Sequence, residues 1–370
     1  MKIHASPLKC VIGDAVATAE SRGYHFPSAE VLSDGSIYIA ARRDKGMNDP
    51  YGTTEAVRYI PATGEIVPMP SPTQQDLAED GSRTAYMCYV SELAPNELIA
   101  LYDLLEPQGH ATMFDDKTFG ICACTLRITR SHDNGLTWDA PEDVAYKTPD
   151  VMVPGQIYKT KDGVIGFHVE MHNHWEVDYK EPIQARFIYS TDGGKTFDKA
   201  AMIPHPRDFL AGDARPTTDD KGNICAFFWG FDLKTMKDLA IYRSFSADGG
   251  KSFSPVEPIE LKKQITSPFW ISDDVYMCIY QERFSAHPGL YAALSYDGGK
   301  TWDEENAVGI FVKGSAPKSE NAFDSGNDEA YTFGYSTLTK LAPNKALVTF
   351  WHANGGTTCI SVCELTVTED

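Results

Sequence analysis

Four copies of one short pattern, Ser-x-Asp-x-Gly-x-Thr/Ser-aromatic, constrain this chain more than any other feature of it. They run Ser131–Trp138, Ser190–Phe197, Ser246–Phe253 and Ser295–Trp302, with starts 59, 56 and 49 residues apart. Each reads as a hairpin turn: the Ser and Asp side chains hydrogen-bond the turn backbone, Gly supplies positive φ, and the aromatic packs back between strands. Self-similarity at a near-constant period marks a repeat architecture. A polar turn present in every repeat serves the scaffold and cannot by itself define one pocket.

Ahead of each turn lies a second recurring unit, two apolar-rich strands joined by a tight turn. Six such units are legible: 24–41 around Asp34-Gly35, 85–102 around Pro95-Asn96, 151–169 around Asp162-Gly163, 213–230 around Lys221-Gly222, 266–281 around Asp273-Asp274, and 333–351 around Pro343-Asn344. A third strand and a turn follow in the first five, the first turn being degenerate at Pro61–Glu65, and Thr357–Val367 closes the sixth. The expected fold is all-β, a six-bladed β-propeller of four-stranded antiparallel blades occupying residues 1–370 as one domain. A ring must be sealed where its ends meet. Residues near Leu8–Ile12 are expected to supply the outer strand of the last blade.

A hydrophobic share of 42% and an aromatic share of 11% describe a globular chain with ample core. A formal net charge of −19 argues against nucleic acid or an anionic membrane as partner, since both need a basic footprint. It leaves room for an anionic small substrate held by a local arginine cluster. The first ten residues carry no apolar run long enough for a signal peptide, and no run is long enough to span a bilayer, so a cytoplasmic location is expected. Seven of the eight cysteines, all but Cys10, fall in apolar strand-like runs, without zinc-knuckle spacing, and read as small core hydrophobes.

In such a ring the starts of the inner strands and the ends of the second strands point into one funnel, the default ligand site. These positions offer His25, Asp213, Arg215 and Tyr335 from the inner strands, and Arg42, Arg43, Asp44, Asp49, His168, His172, His174, Arg283 and Trp351 from the second strands and the loops after them. Alternation allows only one of Arg42 and Arg43 to face the channel. His168, Glu170, His172 and His174 alternate along one strand face, where they can line a wet funnel, bind sugar or act near neutral pH. Strand spacing sets no tetrahedral geometry, so neither a metal nor another cofactor is expected.

The recurring turn resembles the Asp-box, or BNR repeat, of the sialidase (neuraminidase) superfamily of propellers. That resemblance implies a tyrosine nucleophile in a Tyr-Ser-x-Leu motif, reproduced at Tyr335-Ser336-Thr337-Leu338. It implies an acid/base aspartate at Asp49, with Asp44 competing, and an acidic residue near the start of the fourth blade that activates the tyrosine, here Asp213 beside Arg215. Two arginine positions of the resemblance are not matched: Tyr24-His25-Phe26-Pro27 holds His25 in the first slot, and Gly314–Phe333 contains no arginine.

The leading expectation is a glycosidase of this superfamily, exo-acting on an acidic or modified sugar other than ordinary sialic acid. Tyr335, Asp49, Asp213 and His25 would be catalytic. Arg42, Arg43, Arg215, Arg283, His168, His172, His174 and Trp351 would bind substrate. The alternatives are a polysaccharide lyase acting on uronate-containing glycans through His and Tyr, and a non-catalytic glycan-binding propeller. Sugar, linkage and oligomeric state are not readable from the sequence.

Overall fold

The computed structural model describes all residues except 14–22, 116–119, 148–150, 153–154, 176–183, 207–208, 233, 236, 262, 314–331, 355–356 and 370. Six antiparallel sheets succeed one another along the chain, and together they form a six-bladed β-propeller. The inner strands are Gly23–Val31, Thr84–Ala94, the pair Val151–Met152 and Tyr158–Lys159, Phe209–Thr218, Gln264–Ser272 and Phe333–Ala342. The second strands are Ile37–Asp44, Glu97–Glu106, Ile165–Met171, Ile224–Asp232, Val275–Glu282 and Lys345–Asn354. Apart from a single 3₁₀ turn at Lys161–Gly163, no helix occurs among the described residues, and none is long and apolar enough to cross a membrane.

The second strands are packed on both faces by neighbouring blades, which is why they read as near-continuous apolar runs rather than alternating ones. Ile37, Tyr38, Ile39, Ala40 and Ala41 are all buried in succession. Ring closure differs in detail from the expectation. The third strand of blade six, Thr357–Thr368, pairs with two N-terminal segments: Lys9–Ile12, with Lys9 opposite Val362, and Lys2–Ala5, with Lys2 opposite Thr368. The seal therefore begins six residues earlier than Leu8. A twelve-residue strand offers more edge than four residues can cover, and the added segment covers the rest.

The four recurring turns share one hydrogen-bond pattern. In the first, Gly135 N–H donates to Ser131 Oγ at 2.8 Å, and Thr137 N–H and Oγ1 donate to the Asp133 carboxylate at 2.9 and 2.7 Å. The same bonds recur around Asp192, Asp248 and Asp297. Hydrogen bonds from Ser190 and Thr196 hold the Asp192 carboxyl well below the usual carboxylate range. The turn aromatic then crosses to the preceding blade: Trp138 meets Tyr38, Phe253 meets Phe187 and Trp302 meets Phe227, with ring centroids 6.2, 5.7 and 6.0 Å apart. The repeat is thus a clasp between blades.

Phe197, the aromatic of the second turn, is fully buried against Phe167. Replacing it with alanine is expected to cost about 3–5 kcal/mol, the range for deleting a buried aromatic. Urea unfolding of Phe197→Ala beside the wild type measures this directly.

Candidate active site

At the start of three inner strands the backbone does something that the alternation pattern does not signal. Phe26, Asp213 and Tyr335 occupy equivalent places on blades one, four and six, and all three have positive φ, at 48°, 51° and 46°. At each place the strand carries one residue more than its partner, with register shifts between His25 and Ser28, Gly212 and Arg215, and Gly334 and Thr337. A bulge re-aims a side chain that a regular strand would send into the blade. Left-handed backbone at a non-glycine residue costs on the order of 1–3 kcal/mol and persists only where its surroundings enforce it.

The bulges bring Tyr335 to the axis. Its hydroxyl pairs with that of Tyr89 from blade two and lies 2.9 Å from Met87 Sδ. Its ring carries the Arg215 guanidinium of blade four at 4.4 Å and meets Phe26 of blade one edge-on at 4.9 Å. Burial pushes the phenol well above its ordinary value; Arg215 opposes this, and the negative charges of Asp213 and Glu170 add to it.

Asp213 stands beside this tyrosine. Its backbone N–H donates to Glu170 Oε1, and its carboxylate accepts from Arg215 Nη2 at 3.4 Å. The side chain is 20% exposed. Burial pushes its carboxyl up to about 6; the Arg215 charge works against this and the Glu170 charge with it. The second oxygen of Glu170 accepts from His172 Nε2 at 3.3 Å, so two carboxylates and a guanidinium act on one phenol, with an imidazole behind the second carboxylate.

A second polar group is built on blade one. Nδ1 of His25 donates to Asp44 at 2.6 Å, and the other oxygen of Asp44 accepts from Arg42 at 2.9 Å. The His25 ring also meets Trp351 edge-on at 4.7 Å. All four side chains are buried.

Several residues expected to bind substrate, and Asp49, expected as the acid, are engaged within the protein. Arg42 directs its N–H groups to Asp44, to the Ala85 carbonyl at 3.2 Å and to the Asp49 carbonyl, and stacks on Tyr86 at 4.4 Å, so it ties blade one to blade two. Arg43 points to the opposite face and pairs with Glu55 at 2.7 Å, with nearly half its side chain exposed. Asp49 braces its own loop, accepting from Lys45 N–H at 2.9 Å and Tyr51 N–H at 3.0 Å.

His168 lies between blades three and four among Tyr158, Phe187, Phe228 and Phe253, and burial pushes its pKa down to about 3. It is a neutral core histidine. His174 is exposed, in a bridge to Ile121, so the four alternating residues do not form one cluster. Arg283 holds the start of the Tyr335 strand, donating to Phe333 O at 2.8 Å and Gln281 Oε1 at 2.5 Å. Trp351, 1% exposed, offers no face to a ligand. Residues 314–331, where the resemblance looks for a third arginine, lie outside the described residues.

Tyr89 and Met87 were not foreseen. They sit in the run Ala85–Val90, which reads as core strand, and only the meeting of blades two and six at the axis gives them a role.

No protein-family model matches the chain, and no curated protein matches it in sequence. Solved structures do match. A protein of unknown function from Dyadobacter fermentans superposes with a TM-score of 0.72 at 18% identity, covering 99% of both chains. The NanB sialidase of Streptococcus pneumoniae gives 0.65 at 13% identity, over 98% of this chain and 71% of that one. A Penicillium chrysogenum alpha-L-arabinanase gives 0.56 at 10% identity, over 97% and 98%. At these identities the likeness establishes the fold, which glycosidases of different specificity share.

The raised Asp213 carboxyl has a consequence for stability. A group whose folded pKa is about 6 against 3.8 unfolded favours the folded state below about pH 4 and loses that contribution as pH rises through 6. Asp213→Asn, which keeps an acceptor for Arg215, is expected to be more stable than wild type at pH 7 by roughly 3 kcal/mol and equal to it near pH 4. Denaturant titrations of both proteins across pH 4–7 measure the difference.

Proposed function

We propose that this chain is a glycoside hydrolase acting from the chain end of a glycan on an acidic or modified sugar other than ordinary sialic acid. The observation that carries the reading is the Tyr335 hydroxyl at the axis, under Arg215 and beside the carboxylates of Asp213 and Glu170. A phenol is a weak nucleophile until a base takes its proton. Asp213, with its carboxyl near 6, is matched to accept that proton at neutral pH.

In this scheme Tyr335 Oη bonds to the anomeric carbon as its proton passes to Asp213. The glycosidic bond breaks, and the leaving oxygen takes a proton from His25, which Asp44 orients. Water, deprotonated by His25, then attacks the anomeric carbon, and Tyr335 leaves and recovers its proton from Asp213. His25 replaces Asp49 as proton donor because both Asp49 oxygens are engaged by loop N–H groups. Arg215, whose guanidinium lies over the Tyr335 ring, stabilises the negative charge that develops on the phenol oxygen as its proton leaves, and electrostatic stabilisation of this kind is usually a large part of catalysis. A tyrosine nucleophile is the sialidase exception to the two-carboxylate scheme.

The His25–Asp44 pair also favours a second reading, elimination by a uronate lyase, in which imidazole removes a proton next to the carboxylate. Mass spectrometry of products from sialylated, uronate-containing and arabinose-containing oligosaccharides separates the two. Hydrolysis adds the mass of water across the cleaved bond, whereas elimination leaves an unsaturated sugar and overturns the hydrolase. Tyr335→Phe is expected to lower kcat by at least about a thousandfold with little change in KM, as for loss of a transition-state interaction. The acid limb of the pH–rate profile, near 6 in wild type, is expected to vanish in Asp213→Asn.

A further inference from the structure

Behind the Tyr335 floor, on the side where the inner strands end, the channel opens into a cavity of about 330 Å³ to which all six blades contribute. Tyr89 and Arg215 form its inner end, and Lys159, Trp270 and Lys340 lie farther along their strands toward its mouth. We infer that this rear cavity is a second ligand site, taking a small uncharged polyhydroxy molecule of monosaccharide size. It does not rest on the reaction proposed for the front face.

Its volume falls at the lower end of the range for small-molecule sites. The lining sets hydroxyl and amide groups of Thr217, Ser267, Thr337, Thr339 and Gln156 among apolar side chains such as Trp270. Thr337 is 7% exposed, and its Oγ1 meets no hydrogen-bond partner. A buried hydroxyl in that state is satisfied by an incoming hydroxyl at no cost to an existing bond.

The charged groups of the wall are matched within the protein, which is why a neutral ligand suits it better than an ion. Lys159 donates to the Leu93 carbonyl, Lys340 lies over the Trp270 indole at 5.7 Å, and Glu92 accepts from Ser33 at 2.8 and 2.9 Å. Arg215 pairs with Asp213. Glu30 accepts from Glu92 N–H at 2.9 Å and from Gln156 at 3.3 Å. Burial pushes its carboxyl up to about 8, so it is mostly protonated at neutral pH and able both to donate and to accept.

Gly155 gives a way to close this cavity. Gly155 lines the cavity, and among the described residues a Cβ built there would meet the Ala214 carbonyl at an ordinary 3.6 Å, so a large side chain placed there is expected to reduce the cavity. The test is saturation-transfer NMR of the full chain with D-glucose, D-galactose, L-arabinose and N-acetyl-D-glucosamine as probes.

At least one sugar is expected to bind wild type with a millimolar dissociation constant. Binding should be lost in Gly155→Phe, weakened severalfold in Thr337→Val and kept in His172→Ala, a front-face residue absent from the cavity wall. Thermal unfolding checks that Gly155→Phe is folded, and the near-isosteric Thr337→Val carries the test if it is not. Absence of binding by all four sugars overturns the inference. So does binding that survives both rear-face substitutions, or that is lost in His172→Ala.

Discussion

Three side chains from three non-adjacent blades meet at the axis of the ring, and the rest of the molecule is arranged around that contact. Tyr335 of blade six shares its hydroxyl with Tyr89 of blade two and carries the guanidinium of Arg215 from blade four. Polar groups taken this far from water must satisfy one another. They can do so only if alternate blades stand at the right angle and height. The inner-strand bulges make that possible by turning Tyr335 and Asp213 out of the strand alternation, at the expense of left-handed backbone at each.

The two faces of this contact differ in chemistry. On the front, carboxylates, histidines and arginines crowd together, and Asp213 is poised between its charge states near pH 6. On the rear, hydroxyls, an amide and a Glu30 whose carboxyl burial pushes up to about 8 line a cavity whose charged residues have partners within the protein. Tyr89 and Arg215 belong to both, since they line the rear cavity and touch Tyr335. A ligand on one side would therefore act on residues that set the position and charge of the tyrosine on the other.

Much of the fold was legible in the sequence because its signals are local. Ser131, Asp133, Gly135 and Thr137 make their turn from hydrogen bonds within seven residues, and the same bonds recur at each copy. The site was legible only in part. Tyr335, Asp213, Arg215 and His25 are drawn to the channel end of their strands, as their positions in the hairpin units suggested. Alternation allowed only one of Arg42 and Arg43 to face the channel, without saying which, and could not tell that the N–H groups of Arg42 would be taken by Asp44 and two backbone carbonyls. His168 has the same parity as Glu170 and His172 but sits too far back along the strand, where four aromatic rings enclose it.

The sequence by itself determined the repeat, the number of blades and the strand order, because turn chemistry and hydrophobic runs act between residues close in the chain. Tertiary structure alone decided which side chains share the axis. Tyr89 and Tyr335 are 246 residues apart, and no period relates them. Their meeting follows from the closure of the ring, which brings distant strands within hydrogen-bonding distance and leaves buried polar groups only one another as partners.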